Sequence, residues 1–288
     1  MFLKYLAKQR EVQKKLEIVT RKFSSYEQIL LRKFGPNLFI LGAAKSATTS
    51  LWKFCNQLPQ VYFPQDEKYK EPSYYSPHYG MSSITSYLSL YDNCGLLRYR
   101  GDSSHAYLTS PESAELISKC SDEPKFIICL RDPVERAISL HKWMVSNGYE
   151  KTQCFEEAIE LEDERASSED FKKSCGQYFY NFLYFRSGFY REQIERYFSH
   201  FDREQFLFIT FDELVNTPQD KLGDIVRFLG LEITSLPSLT AENKGVMLLD
   251  AIDRNFRKNL WEKFVPHIDG LTSVVGHDLV ALWENKYE

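Results

Sequence analysis

Apolar residues along this chain fall into two patterns. Short unbroken runs at 38–41, 126–130 and 206–210 predict strands buried on both faces. Elsewhere apolar residues recur at helical spacing: Leu51, Phe54 and Leu58 follow Ser50 along one helix face. Pro133 suits the first turn of a second helix, which carries Ser139 about two turns along. Buried strands alternating with helices predict an α/β domain with a central parallel sheet flanked by crossover helices. No internal repeat or low-complexity linker interrupts this order, and 288 residues supply a proper core. No apolar run approaches the eighteen residues of a membrane span.

The first run leads into the most telling segment. After Gly42 come Ala44, Lys45, Ser46, Ala47, Thr48, Thr49 and Ser50, small or hydroxyl residues around one lysine, and then the helix. A strand, a tight loop and a helix N-terminus aim backbone N–H groups and the positive end of the helix dipole at an anion, and the lysine adds a full charge. The kinase and ATPase loop has a second glycine directly before its lysine. That glycine is missing here, and Lys45 follows Gly42 by only three residues. A strand-to-helix turn with an exposed lysine is the plain alternative.

The second run ends in Arg131. An arginine at the C-terminal end of a strand can clamp a phosphate through two parallel hydrogen bonds, and Ser139 can add a third donor. The alternative is a helix-start ion pair of Arg131 with Asp132 or Glu135, with Ser139 merely solvated.

Taken together, the two segments resemble the sulfotransferase superfamily. The 37–53 segment looks like the loop holding the 5′-phosphosulfate of 3′-phosphoadenosine-5′-phosphosulfate (PAPS). The 131–139 segment is similar to the family's R-D-P-x-x-R-x-x-S motif, which holds the 3′-phosphate. Lys70-Glu-Pro-Ser-Tyr-Tyr75 resembles the K-E-x-x-F-F segment of the heparan-type enzymes. Residues 188–198 and 206–214 look like the family's helix-then-strand stretch, with Phe228-Leu-Gly230 ending a helix. Asn243, Lys244 and Gly245 resemble the loop reaching back to the nucleotide, and Leu271 to Trp283 the closing helix. The resemblance implies a single P-loop-like domain at 37–288, PAPS as sulfuryl donor, PAP as product, and no metal.

The resemblance gives Lys45 the role of stabilising charge on the departing bridging oxygen. It also offers two general bases. Glu71 sits where heparan-type enzymes place their catalytic glutamate, and His105 falls where cytosolic members have the histidine of K-T-H-L-P. An imidazole suits base catalysis near neutrality, whereas a carboxylate needs burial to become basic enough. Both are expected to line the acceptor site, their division of labour open; the plain alternatives are a backbone-satisfied histidine and a Glu71 ion pair with Lys70 or Lys45. Asp102 and Ser103 stand where the heparan-type pattern has Glu-Lys, so the second active-site lysine is lost and Lys70 is a substitute. Tyr74, Tyr75 and Tyr107, with Lys70 and Asp102, are candidate acceptor-binding residues. Tyr69, Tyr79, His141 and Trp143 carry the same ambiguity between pocket wall and packing.

Charge adds one distinction. Residues 1–36 hold nine basic and three acidic side chains, a net of +6, whereas the whole chain is −4 and residues 37–288 therefore sum to −10. The basic arm, with Leu3, Leu6, Val12, Leu16, Val19 and Phe23, predicts an amphipathic helix that packs on its own domain, with peripheral membrane contact the alternative. The acidic body argues against a heparan-like polyanion and favours a small-molecule or carbohydrate acceptor; no nucleic-acid partner is expected. The segment from Glu150 to Asp170 reads as an acidic helix with a solvated face. Six cysteines without metal or redox spacing, Cys129 among them in a buried strand, fit reduced thiols, and with no signal peptide the expected location is the cytoplasm. The rival readings are a P-loop kinase or ATPase and a non-catalytic nucleotide-binding protein of the same fold.

Overall fold

The computed structural model describes residues 22–76, 79–238 and 252–288. In chain order its longer elements are α1 (Ser25–Phe34), β1 (Leu38–Gly42), α2 (Thr48–Cys55), β2 (Val61–Tyr62), β3 (Tyr99–Asp102), α3 (Ser113–Cys120), β4 (Lys125–Leu130), α4 (Pro133–Ser146), α5 (Tyr190–Phe198), β5 (Phe206–Thr210), α6 (Pro218–Phe228) and α7 (Arg254–Phe264). All five strands are parallel, in the order β2-β3-β1-β4-β5. The three apolar runs are β1, β4 and β5, within one residue of the expected bounds.

Unbroken apolar runs are what a parallel sheet covered on both faces requires. Alternate residues of β1 enter opposite cores. Phe39 and Leu41 join Phe126, Ile128, Leu130, Phe206 and Phe208 on one face, under Tyr197, Phe201 and Phe264. Leu38 and Ile40 join Ile127, Cys129 and Ile209 on the other, under Leu51, Phe54, Leu222 and Ile225. Phe39, Phe126 and Phe206 form a cross-strand stack, with centroids 5.6 Å and 4.7 Å apart in successive pairs. Such pairs add about 0.5–1.5 kcal/mol each beyond burial.

From β1 the chain goes to β2 and β3 on one side of the sheet, then returns past β1 to β4 and β5 on the other. The strand order therefore reverses at β1, where open α/β sheets form a ligand crevice at the strands' C-terminal ends. Gly42 and Arg131 leave neighbouring strands at that crevice.

Several expectations change. Residues 271–283 form two short helices, Thr272–Val275 and Leu279–Trp283, because Gly276 takes the left-handed φ of 85° that ends the first. The acidic stretch is three short helices, Phe155–Glu160, Glu162–Ser167 and Glu169–Ser174, and two of its carboxylates are buried. Glu150 takes both guanidinium nitrogens of Arg165 at 2.7 and 3.0 Å, and Glu162 accepts the backbone N–H groups of Phe185 and Arg186 at 2.8 and 2.7 Å. These two acids pin a loop and do not form a solvated face. Of the N-terminal arm, Leu3, Leu6, Val12, Leu16 and Val19 lie outside the described residues. Its described end packs on the domain: Leu31 is buried, and Phe23 stacks on Tyr74 at 5.6 Å. Ser24 and Glu27 close a reciprocal capping box at the start of α1.

The fold is tight where β3 approaches the crevice. A Cβ on Gly101 would stand 2.2 Å from the Phe63 ring, an overlap the buried ring cannot escape by moving into solvent. Gly101→Ala is expected to destabilise the domain by about 1–3 kcal/mol, read as a lower denaturation midpoint at unchanged slope; an unchanged midpoint would show that the ring relocates freely.

Candidate functional site

The loop after β1 is coiled tightly around its own amides. Lys45 and Ala47 both hold left-handed backbone angles, φ 65° and 60°, and alternating handedness turns successive N–H groups to one side. Ala47 is the N-cap of α2 and has no side chain to satisfy the first-turn N–H groups, so that end stays open to an anion. Ser46, expected to bind the donor, is fully buried and does not line the cleft, and its backbone N–H donates to the Ala43 carbonyl at 3.2 Å.

Arg131 locks this loop to β4. Its Nη1 donates to the Lys45 carbonyl at 2.9 Å, its guanidinium lies 4.5 Å over the Phe211 ring, and Tyr190 donates to its own carbonyl at 2.7 Å. The alternative helix-start ion pair is not formed: Glu135 pairs with Arg257, and Asp132 caps α4 through the N–H groups of Val134 and Glu135 while accepting from Tyr287. Ser139 lies about two turns into α4 and lines the same cleft as Arg131. Residues Ala44, Lys45, Ala47 to Ser50, Arg131 and Ser139 all line one cleft of about 630 Å³.

The two candidate bases line that same cleft and are bonded to each other. His105, just after β3, places Nδ1 2.6 Å from Glu71 Oε2 and Nε2 3.1 Å from Asn181 Oδ1. The other oxygen of Glu71 accepts from Lys70 Nζ at 2.6 Å, and Lys70 also reaches Thr48 Oγ1 at 3.4 Å. Burial would raise the Glu71 carboxyl, but the His105 and Lys70 partners outweigh it and hold the group well below the usual carboxylate range. Burial, and then repulsion from Arg131, bring the Lys45 ammonium down to about 8 against the pull of Glu71. Its Nζ lies 5.5 Å over the Trp143 ring.

Four of the expected acceptor residues are elsewhere. Tyr74, Tyr75 and Tyr107 are fully buried and stack on Phe23, Phe39 and Tyr87 instead of facing the cleft. Asp102 is buried beneath them, accepting from Tyr87 and Tyr107 at 2.7 Å and from the Ser104 hydroxyl at 2.5 Å. Burial, only partly offset by these donors, lifts its carboxyl to about 6. This carboxylate organises a tyrosine-rich core that carries β3 and the His105 turn. His141 is likewise core, its Nε2 2.9 Å from the Thr152 carbonyl. Trp143 and Tyr79 do line the cleft, as do Tyr149, Gln177, Asn181 and Phe211, which no sequence pattern singles out. Tyr149 and Gln177 come from bends, Asn181 from a single 3-10 turn and Phe211 from the start of the short helix Phe211–Asn216, all distant in the chain from the loop after β1, and no local motif marks them. Asn243, Lys244 and Gly245 lie outside the described residues.

A tightly coiled loop at a helix N-terminus, a strand-end arginine and a bonded His105–Glu71 pair thus share one cleft at the C-terminal edge of a parallel sheet. The chain belongs to the sulfotransferase domain family, whose model matches residues 35–258. Human heparan sulfate glucosamine 3-O-sulfotransferase 3B1 is 26% identical over 201 residues, 68% of this chain and 46% of that protein. Its mouse counterpart is 25% identical over 252 residues, 85% of this chain and 57% of that protein. The chain thus spans about half the length of the curated relatives it matches. A sulfotransferase crystal structure from Alicyclobacillus acidocaldarius superposes with a TM-score of 0.72 at 28% identity, covering 85% of this chain and 98% of that one. Mouse SULT7A1, solved with PAP, shares the fold, with a TM-score of 0.55 at 14% identity over 92% and 95% of the two chains.

The left-handed loop angles give a direct test of the site's construction. Ala47→Gly removes a Cβ penalty of about 1–2 kcal/mol and adds up to about 1 kcal/mol of unfolded-state entropy. The net expectation is a small gain in stability by chemical denaturation; a clear loss would mean that the Ala47 methyl group is held by favourable packing.

Proposed function

We propose that this chain transfers a sulfuryl group from PAPS to a hydroxyl of a sugar or small-molecule acceptor. The single observation that carries the reading is the hydrogen bond of Arg131 to the Lys45 carbonyl within one cleft, because it brings both phosphate-recognition segments to the same ligand. The fit is good. The cleft volume lies in the range that holds a nucleotide-sized ligand. The open amides at the start of α2, from Ala47 to Thr49, suit a 5′-phosphosulfate, and Arg131 with Ser139 suits a 3′-phosphate.

In this mechanism Glu71 fixes His105 by accepting from Nδ1–H and leaves Nε2 to act on the acceptor. In the neutral imidazole Nε2 carries a lone pair and has no proton to give Asn181 Oδ1, so the acceptor hydroxyl takes that position, passes its proton to Nε2, and its oxygen forms the new bond to sulfur. The bond from sulfur to the 5′-phosphate oxygen breaks, and the electron pair leaves with PAP. Lys45 stands where that oxygen gains charge, so its interaction strengthens as the bond breaks. Glu71 is a poor base because the Lys70 ammonium and the His105 Nδ1–H both donate to it and stabilise the ionised form. Lys70 therefore substitutes for the missing family lysine by holding Glu71 and Thr48, at the junction of the donor and acceptor halves.

Calorimetric titration tests the donor. PAP should bind without magnesium, and Arg131→Ala should weaken it by about 10–100-fold, the worth of a charge-assisted contact. ADP should bind weakly. Equal affinity for both nucleotides, or a magnesium requirement, would overturn PAPS as the donor.

The lowered Lys45 predicts a pH dependence with a defined sign. Bound phosphate favours the ammonium form, so PAP affinity is level below about pH 8 and falls above it, by at most about tenfold per pH unit. Lys45→Met should flatten that fall; a fall that persists unchanged in the variant assigns it to another group.

For the base, His105→Ala should cut kcat by about 10²–10⁴-fold, the usual worth of general base catalysis. Glu71→Gln should lower kcat while leaving the KM for PAPS essentially unchanged. Near wild-type turnover in either variant removes that residue from the mechanism.

A further inference from the structure

We propose that the acceptor half of the cleft binds an uncharged sugar and excludes a polyanionic chain; this deepens the sulfuryl-transfer reading above and rests on it. Among the described residues, the lining carries four cations, Lys45, Lys68, Lys70 and Arg131. Lys45 and Arg131 belong to the donor half, where the phosphate-binding segments meet. Lys70 is bound to Glu71 at 2.6 Å, and Lys68 to Asp66 at 2.8 Å. Glu67 adds a carboxylate to the same rim and pairs with Lys53 at 3.1 Å. A sulfated or carboxylated chain would find these cations already paired and no net positive charge to replace its hydration.

The remaining walls match a polyhydroxyl ring. Tyr79 and Tyr149 keep 40% of their surface exposed, although most of this protein's aromatic side chains are buried. Trp143 and Tyr149 face one another with centroids 5.7 Å apart and planes tilted by 34°, a flat apolar wall beside Lys45. Gln177 and Asn181 complete the lining, and Asn181 already meets His105 Nε2. A side-chain amide both donates and accepts, as neighbouring sugar hydroxyls require, while an aromatic face covers the apolar side of the ring. The amide at Nε2 also marks the point at which one hydroxyl of that ring reaches the base. A flat phenol would leave these amides unmatched, which costs affinity where they are desolvated.

The test measures PAP release from PAPS by the full chain with three acceptor sets: neutral mono- and disaccharide glycosides, an N-sulfated heparan oligosaccharide, and simple phenols. PAP binding is measured in parallel. Turnover is expected with neutral glycosides, changing by less than about twofold between low and physiological salt. Tyr149→Ala and Gln177→Ala should each raise the glycoside KM about tenfold, while PAP affinity by calorimetry stays within about twofold. Tyr149 is exposed, so its truncation tests the wall without threatening the fold. Turnover of the heparan oligosaccharide with a steep loss in salt, turnover of phenols alone, or an unchanged glycoside KM in both variants would overturn the proposal. PAP binding with no glycoside turned over would overturn the acceptor class and leave the donor reading standing. Absence of PAP binding would remove both.

Discussion

The site depends on the pairing of β1 with β4. These strands are separated by more than eighty residues in the chain, yet Leu38 to Ile40 lie in parallel register with Lys125 to Ile127. Their C-terminal ends therefore open into the same crevice. That placement allows the Arg131 guanidinium to grip the Lys45 carbonyl and brings the loop after β1 beside the strand-end arginine. The interior phenylalanines hold the two strands in this register, since a one-residue slip would turn Phe39 and Phe126 into the opposite core.

A second pairing joins β3 to β1 and sets the chemistry of the acceptor half. Asp102 at the end of β3 is buried among tyrosine hydroxyls, and that network carries the turn bearing His105. The loop with Lys70 and Glu71 then closes from the other side. A histidine of the kind found in one branch of the family meets a glutamate of the kind found in another, 2.6 Å apart. Electrostatics separates their roles. The carboxylate accepts from Lys70 on one side and faces His105 Nδ1 on the other, which holds it well below the usual carboxylate range, while the imidazole keeps one nitrogen toward the cleft. The same loop links both halves of the site, because Lys70 touches Glu71 and Thr48.

Much of this is legible in the sequence, for reasons that differ by residue. Unbroken apolar runs identify β1, β4 and β5 because strands covered on both faces admit nothing else. That the small-residue loop, Arg131 and Ser139 meet in one cleft is legible because each sits on a local element, one loop, one strand end and one helix. The tyrosines are not: Tyr74, Tyr75 and Tyr107 sit near the candidate bases in the chain but pack inward around Asp102. Amphipathic rings serve a core and a pocket equally well, and sequence proximity does not decide between them. The acidic stretch misleads for a related reason, because Glu150 and Glu162 are buried only by virtue of Arg165 and the 185–186 backbone, partners far away in sequence.

The sequence by itself determined the parallel α/β class, the anion loop without a second glycine, the strand-end arginine and the two candidate bases, since each depends on residues close together in the chain. Only the tertiary structure decided that His105 and Glu71 form one unit. It alone brought Asn181, Gln177, Tyr149 and Phe211 into the cleft, and it alone showed that the acceptor-side lysines are already paired. These are contacts between segments tens of residues apart, fixed by strand order and core packing, and local composition carries no record of them.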